Sequence, residues 1–491
     1  MEEDRKHQRA GTGGRSRKEE RRDRREKERQ WRASLETKLS AEKYAEYVRR
    51  EQMRSKRLRM GLAGAGVMAA AIVALAGLSA YTGRSKEAAA NQLSASVAED
   101  ARVYQERDIT LGSTGCMLLH SPFINSYPDA EGNYDFSSIY KYIAPYYSKP
   151  DFMTCEFEGT LAGKEMGYSG YPNFKSPDAI IENIRDSGVD LQLLATNHCY
   201  DGLSEAFHRT MQVYDEKGIA YTGMRQEKEN PRYYVADIQG VCVGFLDYTY
   251  ETSGDGVNLN AIPVAQQDWE LVNSFDYDDL DAFYDEVRSD IAAMRAEGVR
   301  FIVVNLHWGD EYHLKESETQ RKIAQDLCDL GVDALIGGHP HCLQPIDVFE
   351  SPDGGHAMFC IFSVGNALSN QRTYLLQNSM PDGHTEDGVL VTLTLHQAAD
   401  GTVTITDIDV LPTWVYRFQQ DGSKYYILPL DDVEHLAEKT GITDLGDAPA
   451  NSYRRTMEEL GEGLEKAQDY FKRHHTGTSA DAGGHSLAGR A

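Results

Sequence analysis

Four histidines and two glutamates in this chain stand at the ends of apolar runs, where their types and spacing suit a cation-holding site. His307 closes the run 301–306, with Trp308, Asp310 and Glu311 directly behind it. His339 and His341 follow a second run, 334–336, in the loop Gly337-Gly338-His339-Pro340-His341. Asn197 and His198 follow a third run, and Asp201 comes shortly after them. Glu156 and Glu158 end a fourth, 152–157, where strand alternation puts both carboxylates on one side. Imidazoles are the usual nitrogen donors for transition metals, and paired carboxylates bind cations or act as acid and base.

Each group also has a plainer explanation. Asn197 can cap the following helix while His198 packs. Glu156 and Glu158 can line a solvated strand edge. Trp308 reads as a packing wall, and Asp310 or Glu311 as a partner that orients an imidazole. In Ser363-Val364-Gly365-Asn366, Asn366 can donate to a bound anion or simply make a turn with Gly365. Three imidazoles delivered by two neighbouring strand ends favour the functional reading.

The elements that must position these groups are legible. Residues 301–306 and 334–336 read as buried strands. The helix between them starts near Ser317, with Gln320 spaced for a capping box, and stops near Gly331. That is a strand–helix–strand unit, and α/β proteins bind ligands at the carboxyl ends of such strands. Strands are expected at 111–119, 152–157 and 189–194. Ser176-Pro177 should open a helix ending at Gly188, and a second helix should run over 203–217 and stop at Gly218. Gln239-Gly240 predicts a hairpin between 233–238 and 241–248. Residues 249–280 form an acidic, aromatic-containing insertion, and 282–296 a helix. Strands over 358–364, 388–396 and 403–410 follow the period of two and predict a second, more antiparallel sheet. Residues 433–471 are largely helical in pattern.

Charge divides the chain of 491 residues. Residues 1–59 net about +9, so the net charge of −26 leaves the remainder near −35. So acidic a domain is a poor nucleic-acid binder. Residues 60–81 form an uncharged run of about 22 residues, long enough to span a bilayer, with Lys56, Arg57 and Arg59 on its N-terminal flank. The positive-inside rule then keeps the N-terminus cytoplasmic and puts the rest outside the cell. A cleaved signal peptide, with Leu78-Ser79-Ala80 near its cleavage site, is the rival. The expected organisation is a basic tail (1–59), a transmembrane anchor (60–81), a stalk (82–107), a main domain (108–430), a helical extension (431–474) and a disordered tail (475–491). Seven cysteines, an odd number set mostly in apolar runs, read as buried thiols.

TNHCYDG, LHWGDEY, GGHPHCLQP and FSVGN, in that order, closely resemble the polyglutamate capsule biosynthesis protein CapA family over about residues 109–411. The resemblance implies a four-layer αββα sandwich of the metallophosphoesterase type, here preceded by one transmembrane helix. It also implies a two-metal centre. Glu158, Asn197, His198, His307, His339 and His341 would be its ligands, with Glu158, Asn197 and His198 also catalytic, and manganese or zinc the first candidates. Cys116, Glu156, Asp310, Glu311 and Asn366 are secondary candidates.

Two positions depart from the family pattern. Cys116 stands where an Asp is expected, in Gly115-Cys116-Met117-Leu118-Leu119, and Glu156 stands where an Asn is expected. Thiolate suits a soft metal and not magnesium or manganese, which leaves one metal position open; His120 is a nearby substitute. The resemblance implies a protein on the cell membrane that supports poly-γ-glutamate capsule synthesis or export. Its partners would be the membrane, other capsule-synthesis membrane proteins and the polymer. An extracellular metal-dependent phosphoesterase and a non-catalytic scaffold are the alternatives.

Overall fold

The computed structural model describes residues 104–372, 375–376 and 385–481, with side chains to 475. The basic tail, the 60–81 span, nearly all of the stalk and most of the final tail lie outside the described residues. Among the described residues no helix is long and apolar enough to cross a membrane.

The fold is mixed α/β and built on two large sheets. The strands of the first are β1 (Arg107–Met117), β2 (Phe152–Phe157), β3 (Leu191–Leu193) and β4 (Ala220–Thr222). The second begins with β5 (Tyr233–Ile238), β6 (Val241–Tyr250), β7 (Phe301–His307), β8 (Ala334–Gly338), β9 (Leu343–Glu350) and β10 (Ala357–Val364). Then come β11 (Asp387–Gln397), β12 (Val403–Gln419) and β13 (Ser423–Pro429). The first sheet has the order β13-β12-β11-β1-β2-β3-β4, with a short strand, Asn366–Leu368, paired to β1. The second runs from Ser274–Phe275 through β6, β7, β8 and β10 to β9, and β5 pairs with β6.

The sheets do not divide as the sequence predicts. β11, β12 and β13 are antiparallel, but β11 pairs with β1, so they extend the first sheet instead of forming their own. β10 joins the parallel strands β8 and β7 of the second sheet. Local period reveals that a strand alternates; which edge it joins is decided by packing.

Alternation assigns each strand face. On β7, Phe301 and Val303 join an apolar cluster that also holds Leu111, Leu191, Val391 and Ile408 of the first sheet. Ile302, Val304 and Leu306 face the other way and pack with Val287 and Met294 of α3 (Leu280–Ala296) and Ile323 and Leu327 of α4 (Glu318–Asp329). The far face of the first sheet packs against α1 (Ala179–Asp186) and α2 (Leu203–Lys217). Leu460, Leu464, Ala467 and Phe471 of α5 (Ala448–Asp481) join the cluster shared by both sheets.

Several expectations hold in detail. Ser317 and Gln320 form the capping box on α4, and Gly218 ends α2 in the left-handed region. The hairpin turns on Gln239 and Gly240, both at positive φ, as a tight turn matching strand twist requires. α1 starts at Ala179, later than expected, because Ser176 ends a short strand, Lys175–Ser176. All seven cysteines are free thiols.

Candidate metal centre

β2 and β7 bring the first two groups together. On β2, Met153, Cys155 and Phe157 pack toward α1 and α2, so Glu156 faces the second sheet. His307 continues the Phe301 and Val303 phase of β7 and faces the first sheet. The two meet across the gap, Glu156 Oε1 lying 2.7 Å from His307 Nδ1. Gly338 makes room for them: a Cβ there would sit 2.3 Å from Glu156 Oε2.

A bulge in β1 delivers Cys116. Thr114 pairs with Cys155 and Cys116 with Glu156, leaving Gly115 as the extra residue. The extra residue reverses the alternation: Ile109 and Leu111 face the second sheet, whereas Met117 packs with the outer cluster. Cys116 is thereby turned inward, and its thiol donates to Glu156 Oε2 at 2.6 Å. Burial first, then the charges of Glu156 and Glu158, holds this thiol well above the ordinary cysteine range.

The remaining groups sit on loops after strands. Asn197 is not a helix cap, since Gly202 precedes α2. His198 is held by Asp201, Nδ1 to Oδ2 at 2.7 Å, and Asp201 accepts from the Phe174 backbone N–H at 2.5 Å. The tip of the 249–280 insertion packs here as well, with Asn260 Nδ2 3.2 Å from both His198 Nδ1 and Asp201 Oδ1. His339 and His341 both take positive φ, at 94° and 57°. For residues other than glycine that backbone is strained, and such strain gathers at functional sites. Asn366 is buried and positions His341: its Oδ1 lies 3.0 Å from His341 Nδ1, and its amide donates to the carbonyls of His341 and Thr385.

The result is a concentration of acceptors. With Nδ1 of His307, His198 and His341 turned to Glu156, Asp201 and Asn366, the opposite ring nitrogens present lone pairs. His307 Nε2 is 3.0 Å from Asn197 Oδ1, 3.1 Å from His339 Nδ1 and 3.7 Å from Glu158 Oε1. His198 Nε2 is 3.9 Å from the same Glu158 oxygen. Glu158 is fully buried, and neither oxygen has a hydrogen-bond partner among the described residues. Buried carboxylates without donors are costly. A cation supplies what the protein withholds, so the donor set fits a divalent metal. Cys116, Glu158 and His341 offer ligand atoms within 4.8 Å of one another, as do Cys116, Glu156 and His307.

Electrostatics agree with that chemistry. Burial, and then the neighbouring His307 and His341, pushes the His339 imidazole well below its usual range. Burial lowers His341 to about 3. Burial and the Glu156 charge push Glu158 well above the carboxylate range. Neutral imidazoles keep their lone pairs free for a metal.

The other sequence candidates fall at the margin. Asp310 and Glu311 are exposed, and the imidazoles are oriented by Glu156, Asp201 and Asn366 instead. Trp308 is fully buried and donates to the Phe362 carbonyl at 3.0 Å. His120 packs edge-on to Phe174 and stands outside the ligand groups. Asn260 and Tyr250, whose ring lies 4.8 Å from that of His339, carry no sequence signal. Asp201 does, three residues past a histidine in a turn.

Comparison with known proteins bears on the same residues. The chain is 25% identical to the capsule biosynthesis protein CapA of Bacillus anthracis over 243 residues, 48% of this chain and 55% of that protein. It is 24% identical to the PGA biosynthesis protein CapA of Bacillus subtilis (strain 168) over 286 residues, 56% of this chain and 65% of that one. It thus spans less than two thirds of either relative. A crystal structure of the calcineurin-like phosphoesterase YfkN from Bacillus subtilis overlays with a TM-score of 0.35 and 15% identity, covering 74% of this chain and 99% of that one. Residues 110–371, which contain every candidate ligand named above, match the family described as bacterial capsule synthesis protein PGA_cap, and the chain belongs to that family.

Proposed function

We propose that the chain is a membrane-anchored CapA-like protein whose metal-binding outer domain supports synthesis or export of a poly-γ-glutamate capsule. Family membership carries the reading, together with the buried Glu158, which has no hydrogen-bond donor among the described residues and whose Oε1 lies 3.7 Å from His307 Nε2 and 3.9 Å from His198 Nε2. The apolar span 60–81 and its basic flank support the anchor and an extracellular main domain. The two sheets, with helices on their outer faces, support a four-layer αββα sandwich of the metallophosphoesterase type. Poly-γ-glutamate is anionic and the domain is acidic, so contact with the polymer calls for cations between them. Deleting the gene in its own host should remove surface polyglutamate, and a plasmid copy should restore it. Polymer left unchanged by the deletion rejects the reading.

A phosphoesterase activity is the second reading, favoured by the convergence of His198, His307 and His341 on Glu158, with Asn197 and His339 set against His307. These residues would hold one or two divalent cations. Metal bound there would polarise a phosphoryl oxygen and activate water. The chain's own residues do the rest. Glu156, Asp201 and Asn366 fix three imidazoles, each by one Nδ1 contact. Asn197 lies beside the Tyr250 hydroxyl and presents its carbonyl to the cluster. Purified full-length chain should hydrolyse a generic phosphoester when given manganese or zinc, and His339→Ala should abolish turnover. No turnover across a metal panel rejects this second reading and leaves the first standing.

A further inference from the structure

Cys116 brings sulfur into a cluster otherwise made of nitrogen and oxygen donors. The bulge at Gly115 turns it away from the outer apolar cluster and into the gap between the sheets. Its Sγ lies within 4.8 Å of a Glu158 oxygen and a His341 nitrogen. Glu158 is the independent sign that a ligand belongs there, fully buried with neither oxygen accepting a geometric hydrogen bond among the described residues. Cys116 shares a small apolar cluster with Leu118 and Phe174, but its sulfur also donates to a carboxylate instead of meeting hydrocarbon alone.

We propose that Cys116 binds the cation as thiolate and, with Glu158 and His341, makes one position of the centre selective for a thiophilic divalent ion such as zinc. This rests on the metal-centre reading above. A set of one sulfur, one oxygen and one nitrogen matches zinc, which in catalytic sites takes three protein ligands and keeps a fourth position open. Magnesium and manganese prefer oxygen throughout. On binding, the S–H bond breaks, the sulfur electron pair goes to the cation and the proton passes to buffer; nothing is oxidised or reduced. A bound dication deprotonates a coordinating thiol outright, reversing the preference that burial and the adjacent glutamates impose on the metal-free site. Glu156 keeps its contact with His307 Nδ1 and so still orients the neighbouring imidazole.

Cobalt reports the bond directly. Full-length chain, stripped with chelator and titrated with cobalt(II), should show a thiolate-to-cobalt charge-transfer band in the near ultraviolet. Cys116→Ser should remove that band while the visible cobalt bands persist. In Cys116→Asp the preference for zinc over manganese should fall by at least about tenfold, the loss that removing even an outer partner produces. Thermal melts of both variants check that they fold. Cobalt bound without the band, or a band that survives Cys116→Ser, overturns the thiolate while leaving the metal centre intact. A native chain that binds neither cobalt, zinc nor manganese overturns both.

Discussion

Glu158 is a fully buried carboxyl whose oxygens accept no hydrogen bond among the described residues, and the site follows from that. In the metal-free chain its burial opposes folding, because an unsatisfied buried polar group costs about 1–3 kcal/mol. Glu158→Gln keeps the shape, removes the charge a bound cation would draw on and supplies N–H donors to the surrounding acceptors. The metal-free variant should therefore melt at a higher temperature than the native chain, while bound metal per chain, measured by elemental analysis, falls sharply. The histidines set a pH dependence. Burial holds His120 at about 4 and His341 at about 3, against an ordinary 6.5. Their folded values lie below the unfolded one, so protons bind the unfolded chain better. Stability present above about pH 6.5 should be lost as pH falls toward 4, and saturating metal should resist the loss. Thermal melts with chelator and with zinc check this, and identical pH profiles would count against it.

The strands act as elements by setting which face each donor takes. Alternation on β7 turns His307 toward the first sheet, and alternation on β2 turns Glu156 toward the second. The β1 bulge does the opposite: Gly115 shifts the phase, and no periodic reading finds Cys116 on the inner face. Gly338 is the matching device on β8. Its missing side chain leaves the space that Glu156 fills, and Glu156 is pinned by Cys116 and His307. Gly338→Ala should cost roughly 1–3 kcal/mol, the usual range for overpacking. Shortening the neighbour with Glu156→Asp should recover part of it. Denaturant melts of the two single variants and the double test the coupling, and strict additivity would argue that the contact is not the cause.

For the whole molecule, the apolar layer between the sheets is the decisive feature. Its inner faces are completed by α5, whose Leu460, Leu464, Ala467 and Phe471 recur on one stripe. Burying a large apolar side chain contributes about 1.5–3 kcal/mol, so three of them rival a typical total stability of about 5–15 kcal/mol. Arg455 and Ser452 tie the same helix to the buried Asp387. A chain ending before Ala448 should lose its cooperative melt or become insoluble. A truncated chain that melts as sharply as the native one would show that α5 is dispensable.

Much of the site could be read in the linear chain because strand ends are marked by where apolar runs stop, and His307, His339, His341, Asn197 and Glu158 stand at such stops. The capping box, the hairpin turn and the helix ending at Gly218 were equally local, set by interactions within a few residues. Sheet membership was not: β11 pairs with β1 across more than half of the described chain, and only long-range packing chooses that partner. Of the groups that hold the imidazoles, Glu156, Asp201 and Asn366 stand at strand ends and turns that the sequence marks, whereas three other contributors to the site are set only by the fold. Asn260 reaches His198 from an insertion, Gly338 is defined by what it lacks, and Cys116 faces inward only because one extra residue bends a strand. Sequence sets the chemistry available at each strand end; the stacking of two sheets decides which of those ends share a pocket, since distance between them exists only in three dimensions.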